Sequence, residues 1–239
     1  MSRLDEESRR RLGQVSVATL ATCLFQYGLR NCVMQDVRPL NPNVTRVVGE
    51  AYTLRFIPSR EDLDSMANYS RPDFLHRRAI EECPAGSVLV IDSGRRAEAG
   101  SAGDIMVTRL KARGVAGVVT DGGFRDTPDI RQLDYPAFHQ APAARSTPIC
   151  LSPVDVQQPI GCGGVAVYPG DIIVGDADGI IVIPAHLASE VAEKAIGMTR
   201  YETFATEQVV KGRSILGLYP ATAESREEYI LWEQHGERG

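Results

Sequence analysis

Apolar positions recur along this chain with two periods, and each change of period marks an element. Residues 8–30 carry Leu12, Val15, Leu20, Leu24 and Tyr27 at near-helical spacing, which predicts one or two helices. Gly28 and Asn31 suit their end. "VTRVVGEAYTLRFI" (44–57) alternates loosely and reads as a strand broken near Gly49. Residues 58–72 are polar, with Pro58, Asn68 and Pro72, and read as a loop or surface helix. "FLHRRAIEEC" (74–83) is a short helix stopped by Pro84.

The clearest unit follows. "SVLVID" (87–92) is a buried strand, and 93–103 is a loop of small residues. "DIMVTRLKAR" (104–113) is a helix with Met106, Val107 and Leu110 facing inward, ended by Gly114. "VAGVVT" (115–120) is a second buried strand. Strand, helix and strand with short links make a parallel crossover, which is almost always right-handed. Residues 164–184 are apolar runs punctuated by Pro-Gly-Asp and Asp-Ala-Asp-Gly turns, an all-β stretch. After Pro184 an amphipathic helix runs over 185–212. In the charged tail the apolar cluster Tyr229–Trp232 could dock on the body or on a neighbouring subunit. The reading is one α/β domain over 1–239, with a core of about 12–200, a C-terminal helical tail over 201–239, and helical arms at both ends.

Composition narrows the function classes. With 239 residues, 43% hydrophobic and 24% charged, the chain reads as a soluble globular protein. No apolar run approaches a membrane span, and the charged N-terminus has no apolar signal core, so a cytoplasmic location without membrane contact is expected. A net charge of −5 speaks against nucleic acid as a partner. The cluster Arg9–Arg11 sits beside Asp5, Glu6 and Glu7 and reads as a solvated helix face. Five cysteines are scattered without metal-ligand spacing, so reduced, mostly buried thiols are expected.

Candidate chemistry gathers at the crossover. The first backbone N–H groups of the helix at 104, around Ile105 and Met106, have no intrahelical acceptor and carry the positive dipole end. An anion fits there, although an ordinary helix start with Asp104 complementing the dipole reads equally well. The second strand ends at the same mouth, where "DGGFRD" delivers Arg125 and Asp126. Gly122 and Gly123 would allow a sharp turn and close approach to a ligand. Arg125 offers a planar fork for a carboxylate or enolate, and Asp126 a hard oxygen ligand for Mg²⁺ or Mn²⁺. Adjacent residues in an extended chain point opposite ways, so the two would pair poorly. Strand-end crevices are where α/β sheets bind ligands, and these groups suit metal-assisted chemistry of a 2-oxo acid. The three lysines, Lys111, Lys194 and Lys211, all fall in helices or at their ends, so a buried Schiff-base amine has no good candidate.

Asp104 followed, after twenty intervening residues, by Arg125-Asp126 resembles the signature of class II pyruvate aldolases of the RraA-like family. "GVAGVVTDGGFRD" and "VYPGDIIVGDADGIIVIP" resemble family hallmarks over residues 12–200. That family includes aldolases acting on 4-hydroxy-4-methyl-2-oxoglutarate or 4-carboxy-4-hydroxy-2-oxoadipate, and also regulators of ribonuclease activity. The resemblance implies an αββαβ-type sandwich, phosphohistidine-domain-like, assembled as a homotrimer or homohexamer with sites between subunits. It implies that Gly103, Asp104, Ile105 and Met106 form the loop that binds the substrate carboxylate. Arg125 would bind the pyruvyl group, Asp126 would ligate the divalent cation directly, and Asp104 would hold metal-bound water. An acid from a neighbouring C-terminal helix, Glu202 or Glu207, would complete the site.

Two departures from the family pattern stand out: an extra polar stretch at 58–78 with a longer tail, and Thr22-Cys23 where an acid is often found. Arg71, Arg77, Arg78, Arg95 and Arg96 could then meet further substrate groups, or be plain surface charges. The expected activity is retro-aldol cleavage of a 4-hydroxy-2-oxo acid, with oxaloacetate decarboxylation as a side reaction. The alternatives are a non-catalytic regulator of an RNA-processing enzyme, or dehydration or hydrolysis through the same enolate.

Overall fold

The computed structural model describes residues 4–236. It opens with α1 (Glu6–Leu12) and α2 (Val17–Gln26). Gly13 closes α1, and the Ser16 hydroxyl accepts the Thr19 N–H to start α2, so the periodic N-terminal stretch is two helices. Gly28, just beyond α2, adopts φ +80°, the left-handed conformation that ends helices.

Next come β1 (Arg38–Pro39), β2 (Val47–Pro58), α3 (Met66–Tyr69), α4 (Leu75–Glu82), β3 (Val88–Asp92), β4 (Gly100–Ala102) and α5 (Asp104–Ala112). The chain continues through β5 (Gly117–Thr120), β6 (Gly123–Phe124), α6 (Thr127–Arg131), β7 (Ala137–His139), β8 (Ala141–Pro142) and α7 (Thr147–Cys150). It ends with β9 (Leu151–Val156), β10 (Ile160–Cys162), β11 (Val165–Val167), β12 (Ile172–Asp176), β13 (Gly179–Ile183), α8 (Ala188–Val210) and α9 (Ala223–Gly236).

The main sheet runs β1-β7-β5-β3-β2-β12-β13, with β9 also on β2. Strands β2, β3, β5 and β7 are parallel, as the crossover reading requires. The two ends of the sheet approach each other: the Arg38 guanidinium on β1 donates to the Asp178 carbonyl, 3.2 Å away in the turn before β13. The sheet therefore nearly closes on itself.

Strand alternation sorts side chains into three cores. Val88 and Val90 of β3, Val119 of β5, Ile173 of β12 and Ile180 and Val182 of β13 fill the inside of the curled sheet. Leu89 and Ile91 of β3 and Val118 of β5 point outward against α4, α5 and α6 through Ile80, Leu110 and Ile130. Ile172 and Val174 of β12, with Ile181 and Ile183 of β13, point outward against α1, α2 and α8. Each such side chain, fully buried, stabilises the fold by roughly 2 kcal/mol.

Two expectations need correction. Gly49 does not break the strand: β2 runs unbroken through it. A Cβ at Gly49 would stand 2.6 Å from the Gly86 carbonyl oxygen, so the glycine admits a close backbone neighbour. β2 instead changes antiparallel partner along its length, from β12 at residues 47–50 to β9 at 54–58. The loop of small residues at 93–103 contains β4, which pairs with β6 and is held further by the Thr147 hydroxyl donating to the Gly100 carbonyl at 2.6 Å.

The tail docks on its own chain. Tyr229 and Trp232 of α9 pack with Tyr201 and Phe204 of α8, and Trp232 Nε1 donates to Glu207 Oε2 at 3.0 Å. The five cysteines are free, and four of them are buried. Among the described residues no helix is long and apolar enough to cross a membrane.

Candidate active site

Strands β3, β5 and β7 are each followed by a short strand, and these three form a second parallel sheet in the order β4-β6-β8. That small sheet is the scaffold of the site. Its pairing sets Gly100 opposite Gly123 and Ala102 opposite Phe124. The Arg125 N–H then donates to the Ala102 carbonyl at 2.9 Å. The start of α5 and the Arg125-Asp126 pair are thereby held side by side at one mouth.

Two glycines let the functional side chains lie flat. A Cβ at Gly100 would stand 2.5 Å from Arg125 Cγ, so the Arg125 stem passes directly over Gly100. A Cβ at Gly103 would stand 2.8 Å from Asp126 Oδ2. Gly103 has ordinary extended backbone, φ −118° and ψ −178°, so it is required for space and not for conformation. Arg125 and Asp126 thus diverge, one over β4 and one against the α5 N-terminus. Among the described residues neither forms an ion pair. The residue in left-handed backbone here is Asp126 itself, φ 55°, at the start of α6. Asp tolerates that region better than most residues, and such outliers concentrate at functional sites.

Gly122 and Gly123 do not serve as expected. Both are buried. A Cβ at Gly122 would meet Ser101 Oγ at 2.6 Å, and one at Gly123 would meet Ala143 Cβ at 2.5 Å. They admit close packing under the mouth, and neither has positive φ.

Gly103 caps α5 without a side-chain hydrogen bond, and Asp104 lies in the first turn. Ile105 is 79% exposed, while Met106 packs against the outer core. The first turn therefore presents its N–H groups and Asp104 beside Asp126. An anion can bind there. Asp126 is exposed and Asp104 half-buried, both hard oxygen donors.

Among the described residues no group of three His, Cys, Asp or Glu is placed to hold a metal by itself. Two carboxylates with the remaining positions open fit Mg²⁺, which keeps waters and binds through one or two carboxylates plus substrate oxygens.

A supporting layer that the sequence reading missed lies below. Ser93, Ser101 and Thr120 form a buried hydroxyl cluster, with Ser93 Oγ 2.7 Å from Ser101 Oγ and Ser101 Oγ 2.8 Å from Thr120 Oγ1. The buried Asp121 carboxylate accepts the Ser93 N–H at 2.7 Å and the Gly163 N–H at 3.1 Å. Burial raises its pKa against those two bonds. His139 stacks on Phe124 with ring centroids 5.6 Å apart, and burial lowers its pKa to about 4. The signal for this layer was the run of small polar residues after each buried strand.

The remaining candidates lie elsewhere. Arg71, Arg78, Arg95 and Arg96 form surface ion pairs with Asp73, Glu82, Asp36 and Glu98. The Arg77 guanidinium lies over the Tyr69 ring, 4.6 Å from its centroid. Glu202 and Glu207 are on α8, which packs on α1 and α2, across the sheet from α5 and α6. Glu202 Oε2 accepts from Thr19 Oγ1 at 2.9 Å, and Glu207 accepts from Trp232. Within one chain the structure brings neither to the mouth. The Lys111 ammonium donates to the Leu133 carbonyl, and Lys194 sits over the Tyr27 ring.

Comparison with known proteins agrees with this fold. A protein of Halalkalibacterium halodurans, provisionally named as a 4-hydroxy-4-methyl-2-oxoglutarate aldolase, is 36% identical over 172 residues, covering 70% of this chain and 73% of that protein. A Thermus thermophilus protein named 4-hydroxy-4-methyl-2-oxoglutarate aldolase is 32% identical over 111 residues, 46% of this chain and 66% of its own. The crystal structure of Streptomyces coelicolor RraAS2, described as an unusual member of the RNase ES inhibitor RraA protein family, superposes with a TM-score of 0.76. It is 33% identical and covers 86% of this chain and 98% of that one. The family model described as Aldolase/RraA matches residues 17–182, a span that holds the curled sheet, the α5 N-terminus and Arg125-Asp126, and the chain belongs to the RraA-like family.

Proposed function

We propose that this protein is a divalent-cation-dependent lyase that cleaves a 4-hydroxy-2-oxo acid to pyruvate and a second carbonyl compound. The observation that carries the reading is the divergence of Arg125 and Asp126 over Gly100 and Gly103, beside an α5 N-terminus without a side-chain cap. The N–H groups of Ile105 and Met106 bind the substrate carboxylate. Arg125 spans carboxylate and ketone oxygen with its fork. Asp126 would hold Mg²⁺ or Mn²⁺ directly, and Asp104 would do so through water. The cation, when bound, supplies Lewis-acid polarisation of the ketone.

The 4-hydroxyl loses its proton to a base and becomes the new carbonyl as the C3–C4 bond breaks. The electron pair of that bond passes into the pyruvate enolate, whose oxygen faces Arg125. Protonation at C3 completes pyruvate. Oxaloacetate, which loses CO₂ to the same enolate, is a side substrate. No lysine reaches the mouth, in keeping with enolate rather than Schiff-base chemistry.

The similarity to RraAS2 favours one other reading, a non-catalytic regulator of an RNA-processing enzyme. A regulator has no use for the paired carboxylates and arginine of the mouth. The deciding experiment is exchange of pyruvate methyl protons followed by NMR with Mg²⁺ or Mn²⁺ present, which needs no knowledge of the natural substrate. Cation-dependent exchange supports the lyase; its absence leaves the regulator.

A further inference from the structure

Ser101 is the middle residue of β4, fully buried, and the strand's only polar side chain. The residues on either side of it carry Arg125. The Arg125 stem passes over Gly100, and the Ala102 carbonyl accepts the Arg125 N–H at 2.9 Å. Among the described residues the Arg125 guanidinium has no hydrogen bond or ion pair. Its place in the mouth is therefore set by where β4 lies.

A closed triangle of hydroxyls ties β4 to the main sheet. Ser101 Oγ lies 2.7 Å from Ser93 Oγ and 2.8 Å from Thr120 Oγ1, and those two are 3.2 Å apart. Three hydroxyl protons serve three contacts, so each oxygen donates once and accepts once around the triangle. The Gly122 N–H adds a further bond to Thr120 Oγ1 at 3.0 Å. Ser93 follows β3 and Thr120 ends β5, so two strand ends of the main sheet grip the middle of β4. Gly122 makes room for this: a Cβ there would stand 2.6 Å from Ser101 Oγ. All three residues are at most 1% exposed, out of reach of a substrate. Removing one oxygen leaves a buried donor without an acceptor, which costs more than the bond itself.

Asp121 braces the Ser93 corner. One carboxylate oxygen accepts the Ser93 N–H and the other the Gly163 N–H, so the turn between β10 and β11 supports the same point.

We infer that Ser101, Thr120 and Asp121 are positioning residues, and that the hydroxyl triangle with its carboxylate brace holds Arg125 in register with the developing enolate. The inference rests on the lyase reading and adds to it residues that never touch substrate. They act through Arg125, as ordinary core residues would not.

The test is a double-mutant cycle on pyruvate methyl-proton exchange with Mg²⁺, read as separate kcat and KM. Ser101→Ala should lower kcat about tenfold, the scale of a small misplacement of a catalytic group, with KM little changed because the α5 N–H groups still bind the carboxylate. In an Arg125→Ala background the same substitution should change kcat by less than about twofold. Asp121→Asn, which turns an amide NH₂ toward an N–H, should behave alike. Equal losses in both backgrounds, or wild-type kcat in Ser101→Ala, overturn the inference.

Thr120 separates positioning from stability. Thr120→Val keeps the shape and loses the oxygen, and should lower kcat as Ser101→Ala does. Thr120→Ser keeps the oxygen and loses a buried methyl, so it should melt at lower temperature with near-native kcat. An equal fall of kcat in both variants would make these residues packing alone and overturn their role. Wild type without cation-dependent exchange overturns the lyase reading, and the positioning role with it.

Discussion

Gly103 and Asp126 are in a contact that leaves no room for a side chain at position 103: a Cβ there would stand 2.8 Å from Asp126 Oδ2. Since Gly103 has φ −118°, alanine suits the backbone, and the effect of substitution is steric displacement of the carboxylate. Gly103→Ala should keep its melting temperature within a few degrees and weaken Mn²⁺ binding markedly, read by electron paramagnetic resonance titration. Wild-type affinity in this variant would remove Asp126 from the metal site.

Asp126→Asn separates charge from backbone. Asn tolerates the left-handed region as well as Asp does, so this variant should fold with near-native stability and lose metal affinity. Asp126→Ala should lose the same affinity and in addition about 1 kcal/mol of stability, the strain of a non-Gly, non-Asn residue at positive φ. Equal stability of the two variants in chemical denaturation would contradict the second half.

Arg125 should matter most as negative charge develops. Arg125→Ala should slow pyruvate methyl exchange by roughly 10²-fold or more, the usual scale for losing one oxyanion donor. Arg125→Lys should recover only part of the rate, because a point charge cannot span carboxylate and enolate together. Near-native exchange in both variants would reduce Arg125 to a surface cation.

Acid should destabilise the fold through two buried imidazoles. His76, fully buried on α4 and edge-on to Phe56, and His139 both have pKa values lowered to about 4, chiefly by burial. The unfolded chain takes up protons near pH 6.5 and the folded chain only near 4. Stability is therefore full above pH 6.5 and falls as pH drops toward 4, by up to roughly 3 kcal/mol for each group. Asp121, with its pKa raised, acts in the opposite sense. His76→Leu should flatten the profile in denaturation measured between pH 4 and 8. An unchanged slope would mean that His76 is not the group.

The exposed apolar residues Val210, Ile215 and Leu216, at and just beyond the end of α8, should hold an assembly together. Wild type should scatter light as a symmetric trimer or hexamer. Leu216→Asp, at a position 85% exposed in one chain, should shift it toward monomer without lowering helix content. A wild-type monomer at micromolar concentration would refute the assembly.

The elements that the sequence determined by itself are those whose information is local. β3, α5 and β5 lie within two residues of their expected bounds, because an apolar run, a helical stripe and a terminating Gly114 are each contiguous in the chain. The α/β class follows from their order. The paired Arg125 and Asp126, with Asp104 at the other end of the crossover, were legible because strand ends and helix starts share one side of a parallel sheet.

Tertiary structure alone decided the rest. β4, β6 and β8 are too short and too rich in glycine and alanine to announce themselves. They exist because each finds its neighbour once β3, β5 and β7 are in register. The roles of Gly100 and Gly103 depend on which distant side chain lies over them. The hydroxyl cluster of Ser93, Ser101 and Thr120 needs three separate strand ends to meet. The place of Glu202, across the sheet from the mouth, is set by α8 packing on α1 and α2, a relation between the two ends of the chain that no local pattern encodes.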